Sequence, residues 1–471
     1  MAWGHTAILQ FSICILQFRL PGQVITMDKQ TAEKILSLAA SLKAAAAEVF
    51  IRSSVATGIE VKDQKVEAFE RARDRGAGLR VLTGRKMGFA FTTDFSDPAL
   101  MRLAQAAMTN AESSEPDPLQ SIPARPAGQY GDVAIYDPAM GPVSEEEKIK
   151  GVMAMEREAY AVDPRVKRIR KASGSFSQSE TVIMNSHGAE VSYRGTAASS
   201  SIEAVAEEKG ESQAGWDFDV TRFYHRLKPE EVGRRAARKA LNLLGAKSIQ
   251  SVKAPVILEA TVAEEFLSIV ASGFSAENVQ KKKSLLAGKL DREILSPVLT
   301  IVDDGLLEGG LGTAPCDDEL VPASKKIVID KGRLAMYLYN TYTASKDKTL
   351  STGNGFRGGF KGVPGVGVTN LSIVPGALSL EELIASTSRG LFVTEIMGAH
   401  MANPISGDFS VGATGFWIEK GKTAYPVREV TIAGNILDLM KNVDAVGNDL
   451  RFQGRIGSPS LRVKELSIGG K

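Results

Sequence analysis

Histidine sets the first limit on what this chain can do chemically. Its 471 residues contain His5, His187, His225 and His400 and no others. No two of them stand four or five positions apart, and none falls between 226 and 399. A helical His-Glu-x-x-His zinc site needs both imidazoles on one helix face, so that arrangement is excluded. A site built from distant histidines is left only as a remote alternative. Attention moves to "APVILEATVAEEFLSIVASG" (254–273), an apolar strand running into a helix with two adjacent glutamates. On that helix Val262, Phe266, Ile269 and Val270 share one face, and Glu264, Glu265, Ser268 and Ser272 share the other. The glutamates could form an acid pair. Glutamates in the first turn of a solvated face are also what the helix dipole favours, and this second reading is preferred.

Other candidates are weaker. Asp303-Asp304 and Asp317-Asp318-Glu319 have the carboxylates of a hard-metal site. Adjacent strand residues point to opposite faces, however, and Asp-Asp-Gly is a turn signature, so both are read as turns unless two carboxylates converge in space. Ser345 and Lys348 have the spacing of Ser–Lys hydrolases, with no Gly-x-Ser-x-Gly elsewhere to support it. "RVKRIRK" (165–171) could contact phosphates, but its alternation with Val166 and Ile169 equally fits a charged strand face. The run "STGNGFRGGFKGVPGVGVTN" (351–370) lacks the Walker pattern and reads as a loop, either over a cleft or as a linker.

The elements that must position these groups follow from pattern. With 43% hydrophobic and 24% charged residues, the composition is that of a globular chain long enough for two or three domains. A net charge of +2 commits it neither to nucleic acid nor to a membrane. Two cysteines, Cys14 and Cys316, fit a reducing cytoplasm and exclude a disulfide framework. The apolar stretch within residues 1–26 has no preceding Lys or Arg and no clear cleavage site, so an upstream extension is expected there. Met27 begins a cleaner start, with Asp28 as N-cap of a first helix. "AEVFIRSS", "GIEVKDQKVEAFE", "AGLRVLTG" and "KMGFAFTTD" predict an antiparallel meander, followed by a helix and a Pro- and Gly-rich connection over 115–142. A helix opens at Ser144 with Glu147 in capping-box spacing, and more strands follow, with a hairpin turn at "NSHG" (185–188). Pro229 and Gly245 frame another helix. Beyond residue 251 short strands and glycines dominate, with helices expected at about 262–272, 379–388 and 435–443. The fold class is α+β with mixed helices and largely antiparallel sheets. The expected division is 1–26 as extension, 27–250 as an α+β domain with a middle segment over 143–246, and 251–471 as a Gly-rich β-dominated domain.

The C-terminal third carries the longest motifs: "GLFVTEIMGAH" (390–400), "NPISGDFSVGATGFWIEKGKTAYPVREVTIAGNI" (403–436) and "VGNDLRFQGRIGSPSLRVKELSIGG" (446–470). Together with "GAGLRVLTGRKMGFAFTTD", "KKKSLLAGKL" (281–290), "GTAPCDDELVP" and "YLYNTYTASK" (312–346), they resemble the PmbA/TldE branch of the TldD/PmbA family from about Met27 to Lys471. The resemblance implies a two-domain PmbA/TldD-like fold. It also implies that a TldD-type relative holds zinc on a His-Glu-x-x-x-His helix, while PmbA/TldE-type chains lack those histidines and pair with it. The pair, so implied, is a cytoplasmic peptidase acting on unfolded peptides and peptide precursors. Older descriptions of the family speak of modulators of DNA gyrase.

Placed against those motifs, the zinc-helix window falls on "LSIVASG" (267–273). Leu267 takes the place of the first histidine, Ser268 that of the glutamate and Ser272 that of the second histidine. No catalytic residue and no metal is therefore expected in this chain, with zinc expected in a TldD-like partner. The expected partners are that subunit and unfolded peptides, with a homodimer also open, no membrane, and nucleic acid disfavoured. Gly353, Gly355 and Gly358, together with Ser406, Gly407 and Asp408 in the "NPISGDF" turn, are assigned to a substrate cleft, since glycines admit close backbone approach and the turn offers exposed N–H groups. The alternatives are a self-sufficient hydrolase using Ser345 and Lys348 or an unrecognised metal site, and a non-enzymatic gyrase-modulating binding protein.

Overall fold

A computed structural model describes residues 21–124 and 130–471. Residues 1–20 of the expected extension, with His5 and Cys14, lie outside the described residues. Helix α1 (Pro21–Ser41) runs straight through the expected start at Met27. Asp28 is therefore not an N-cap. It is buried inside the helix, accepts from Ser53 Oγ at 3.3 Å and pairs with Arg75. An arginine, rather than an orphan backbone N–H, claims its carboxylate.

The meander folds as expected, in longer pieces. Strands β1 (Ala46–Lys62), β2 (Lys65–Thr83) and β3 (Lys86–Thr92) are followed by α2 (Asp97–Ser113) and α3 (Glu145–Ala161). Then come β4 (Val166–Asn185), β5 (Glu190–Glu208), β6 (Glu211–Thr221) and α4 (Pro229–Asn242). The six strands form one antiparallel sheet in the order β3-β2-β1-β4-β5-β6. Asp63 and Gln64 close the β1–β2 turn with φ of 52° and 57°, and their backbone N–H groups donate to the Glu156 carboxylate. The helices cover one face of the sheet. Val49 and Ile51 point to α1 and α2, and Ile59 and Val61 point to α3. Phe50, of opposite parity, points to the other face and packs on Cys316, Leu320 and Phe360 of the C-terminal part. The basic stretch at 165–171 is a charged strand face: Arg168 meets Glu207 and Arg170 meets Glu203 across the β4–β5 pair, while Val166 and Ile169 are buried. The predicted turn at Asn185–Gly188 is present, with Gly188 at φ 78°.

The C-terminal part begins with β7 (Val252–Leu258), α5 (Ala260–Ala271) and α6 (Ala276–Gln280), then β8 (Ile301–Asp304), β9 (Lys325–Asp330) and β10 (Arg333–Leu334). It continues through α7 (Thr341–Asp347), β11 (Gly355–Phe356), β12 (Gly365–Val366), β13 (Leu371–Ile373), α8 (Leu380–Ala385) and β14 (Arg389–Met397). It ends with β15 (Asp408–Glu419), β16 (Lys422–Asn435), α9 (Ile436–Lys441), β17 (Val443–Val446), β18 (Arg451–Gln453), β19 (Ile456–Ser458) and β20 (Leu461–Gly469). Strands β16-β15-β14-β7-β20 form a sheet whose ends meet, because β16 also pairs with β20, closing a five-stranded barrel with β17 appended. A second sheet, β10-β9-β8-β13-β19-β18, lies beside it. Helix α5 lies between the two and buries Val262, Phe266 and Val270 in their shared core, with Phe266 edge-on to Phe409 at 5.0 Å. Among the described residues, no helix is long and apolar enough to cross a membrane.

Candidate functional site

Helix α5 springs from the carboxyl end of β7, which runs parallel to β14 with Val256 opposite Leu391 and Leu258 opposite Val393. A parallel pair joined through a crossover containing a helix concentrates chemistry at its carboxyl end, where neighbouring loops diverge. Here β14 bulges at Thr394, so that Glu395 faces Thr414 on β15. The partner strand permits the bulge only because position 415 is glycine. A Cβ there would lie 1.9 Å from the Phe392 carbonyl.

Three residues occupy the zinc-helix window, and none is arranged as a ligand. Leu267 is fully buried in the apolar core. Ser268 and Ser272 are exposed, and each hydroxyl donates back to a helix carbonyl, to Glu265 O at 2.8 Å and Ile269 O at 3.2 Å. A zinc ion needs anionic or imidazole donors turned towards a common point, and this helix face offers a methyl-bearing side chain and two occupied hydroxyls. The residues do not fit the metal. Among the described residues no group of three or more His, Cys, Asp or Glu side chains could hold one.

The acidic residues here are not the solvated first turn that the pattern favoured. Glu264 is only 5% exposed and has no hydrogen-bond or ion-pair partner among the described residues. Burial, then the neighbouring charge of Glu265, pushes its carboxyl up to about 8. Burial and Glu395 push Glu265 up to about 7. The helix period failed at Glu264 because α5 lies between two sheets, while Glu265 is half-buried and Ser268 and Ser272 stay exposed. Glu259, between β7 and α5, donates its backbone N–H to Val393 O at 2.9 Å, while its Oε2 is buried without a partner. Burial raises its pKa too, against the opposing charges of Lys239 and Arg451. The Thr414 hydroxyl opposite Glu395 is likewise buried and unpaired. The head of α5 is thus a protonatable carboxyl cluster with unused hydrogen-bonding capacity.

Across from it, Asp217 on β6 is fully buried and receives Arg235 Nε at 3.1 Å, Arg451 of β18 and, at 3.6 Å, Lys239. Burial alone would raise the Asp217 pKa, but Lys239, Arg451 and Arg235 overcome it and hold the carboxyl low. This aspartate ties the middle layer of the chain to the second sheet beside α5.

The other assigned residues fall elsewhere. Gly353 has φ 71°, and Gly355 lies in the short β11–β12 hairpin with its N–H donating to Asp317 at 2.8 Å. A Cβ on Gly355 would meet the Glu319 carboxylate at 2.7 Å, so glycine is needed there for packing. Gly358 is exposed in the same hairpin. The 351–370 segment is neither a linker nor a free flap, because Phe360 is buried against the first sheet. Ser406, Gly407 and Asp408 form a separate turn: Ser406 Oγ donates to Asp408 at 2.8 Å and Asn435 Nδ2 to Asp408 at 3.0 Å, holding its carboxyl low. No hydrogen bond joins the two segments, and the turn spends its polar groups on itself. Beside it the apolar side chains of Met397, Met401 and Ile405 are exposed.

The turn reading of the aspartate runs holds in part: Leu320 donates its N–H to Asp317 O at 3.1 Å across a turn, whereas Asp303 and Asp304 end a strand. Asp303 is buried on β8 and holds Lys326 at 3.2 Å, Asn354 Nδ2 at 2.8 Å and the Thr369 N–H at 2.6 Å. Asp317 and Glu319 do converge, but around arginine and backbone donors. Arg80 joins Glu48 and Glu319, each at 3.1 Å, and Arg357 also reaches Glu48. The Ser345–Lys348 pair is not assembled: Ser345 Oγ donates to Thr341 O at 2.9 Å, and Lys348 is an exposed left-handed C-cap.

Three adjacent family models match the chain: the PmbA/TldA metallopeptidase domain 1 over residues 47–111, the central domain over 140–244 and the C-terminal domain over 251–470. The chain is 31% identical over 453 residues to metalloprotease PmbA of Escherichia coli O157:H7, covering 95% of this chain and 98% of that one. It is 28% identical to a metalloprotease TldD homolog of Haemophilus influenzae, covering 84% and 87%. Among solved structures, a proposed modulator of DNA gyrase from Thermotoga maritima superimposes with a TM-score of 0.88 at 29% identity, covering 94% of this chain and all of that one. TldE of Thermococcus kodakarensis shares the fold with a TM-score of 0.86 at 24% identity. Taken with the barrel, the α5 crossover and the order of the three matched regions, these likenesses establish that the chain belongs to the PmbA/TldD metallopeptidase family.

Proposed function

We propose that this chain is the subunit without a metal site in a TldD/TldE-type zinc peptidase that degrades or processes unfolded peptides and peptide precursors in the cytoplasm. The observation that carries the reading is the state of α5. Its helix keeps the position that the family resemblance assigns to the metal-binding helix, yet Leu267 is sealed in the core and the hydroxyls of Ser268 and Ser272 are turned back onto the helix. Water activation by a zinc ion would come from the TldD-like partner, which supplies a Lewis acid and a metal-bound nucleophile when loaded.

What this chain's residues contribute is binding and enclosure. Barrel closure pairs β16 with β20 and leaves β17 appended at the end of that sheet, and an extended peptide would add to β18, the edge strand of the second sheet beside α5. Main-chain pairing of that kind tolerates many sequences. The neutral carboxyl of Glu264 and the cluster around Glu259 and Glu395 would accept or donate hydrogen bonds to the peptide's polar groups. Exposed Met397, Met401 and Ile405 beside the Ser406–Asp408 turn supply an adaptable apolar surface suited to a partner subunit.

Co-expression with a TldD-like protein from the same organism tests this reading. The expected result is co-purification, with chelator-sensitive cleavage of an unfolded protein that neither chain shows alone. Cleavage by this chain alone that resists chelators would replace the reading with a self-sufficient hydrolase.

A further inference from the structure

A cavity of about 580 Å³ opens in the middle layer, between α3, the start of α4 and the sheet beneath them. It is separate from α5 and independent of the role proposed for that helix. Its size lies within the range that encloses small molecules. A second cavity of about 290 Å³ adjoins it, and Lys148 and Phe176 line both.

Two buried polar side chains in this cavity have nothing to bind. Lys148 on α3 is 9% exposed as a whole residue, and its ammonium, which reaches solvent, makes no hydrogen bond or ion pair among the described residues; it lies 5.5 Å from the centroid of the Phe176 ring. Burial lowers its pKa, with Arg71 adding to the effect and Glu145 and Glu147 opposing it. Ser200 on β5 is 2% exposed, and its hydroxyl is buried without a partner. The cavity thus offers an ammonium with no protein partner and a buried hydroxyl with unused hydrogen-bonding capacity. The remaining walls are apolar and aromatic: Val152, Leu227 and the Phe176–Tyr224 pair, whose rings are 5.9 Å apart. At the rim the exposed Arg157 and Lys150 are opposed by Glu147 and Glu230, whereas Lys148 has most of its side chain packed into the wall of both cavities.

We infer that this cavity binds a small organic carboxylate with an aromatic or branched apolar body. The carboxylate would lie against Lys148 and Ser200, and the apolar body against Phe176 and Tyr224. A charge-assisted hydrogen bond between the Lys148 ammonium and a carboxylate is the strongest contact the site can make. The free acid should therefore be preferred to its neutral amide.

Calorimetric titration of the full chain with N-acetylphenylalanine and with its amide tests this. The acid should bind saturably, with the amide weaker by at least about tenfold. Lys148→Met should weaken the acid by a similar factor while leaving the amide unchanged. Ser200→Val should weaken both probes by crowding the cavity. The inference is overturned if the acid shows no saturable binding, if acid and amide bind equally, or if Lys148→Met retains the acid. Should Lys148→Met fail to fold, the acid–amide comparison on the unaltered chain decides alone.

Discussion

Glu264 offers the sharpest test among single residues because its setting and its titration point the same way. Its folded-state pKa of about 8 lies above the ordinary 4.5, so the folded chain retains a proton that the unfolded chain has lost. The part of the stability that depends on Glu264 should therefore be greatest below about pH 4.5 and fall as the pH rises towards 8. Glu264→Gln removes this titration. It should match the parent near pH 5 and exceed it by on the order of 2 kcal/mol at pH 8.5, read from urea unfolding at both values. A pH-independent difference would show that Glu264 is solvated after all. Leu267→Ala should cost roughly 2–5 kcal/mol, as loss of a buried leucine does, whereas Ser268→Ala should stay within about 0.5 kcal/mol. Comparable losses at the two positions, measured by the same unfolding assay, would contradict the orientation of α5.

At the scale of elements, close packing outweighs propensity. Gly233 sits inside α4, where alanine would ordinarily gain about 1 kcal/mol. A Cβ at that position would lie 2.1 Å from the Met155 carbonyl of α3. Gly233→Ala should therefore destabilise by roughly 2 kcal/mol, and a rise in the urea midpoint would refute this crossing. Strands, caps and turns were largely legible in the sequence because their signals are local. Ser144 caps α3 as its spacing predicts, and the Asn185–Gly188 turn and the helices after Pro229 and Ala260 lie where read. Short α6 and α7 escaped because five to seven residues barely establish a period. Burial on both sides of α5 escaped for another reason. Two glutamates and two serines describe a wet face, and only a sheet distant in sequence buries Glu264 while Ser268 and Ser272 stay exposed.

Across the whole molecule, charge joins the layers. Glu48 and Arg80 of the first sheet meet Glu319 and Arg357 of the C-terminal part, all four buried. Arg80→Met would leave buried Glu319 without its cation, while Glu48 keeps Arg357, and should cost about 3–5 kcal/mol. Because the pairs are shielded from solvent, the loss should change little with added salt. A strongly salt-dependent effect in urea unfolding would indicate an open interface instead. None of this network was readable from spacing, since 239 residues separate Arg80 from Glu319. On α5, motif order pointed to Leu267, Ser268 and Ser272; the first two lie on the helix, Ser272 caps its end, and their side chains are turned to packing and to the helix itself. Zinc content of the purified two-chain complex tests the central claim most directly. The account predicts about one zinc per pair of chains, lost when the histidines of the TldD-like subunit are replaced, and none held by this chain after dialysis alone. Stoichiometric zinc retained by this chain in isolation would contradict it.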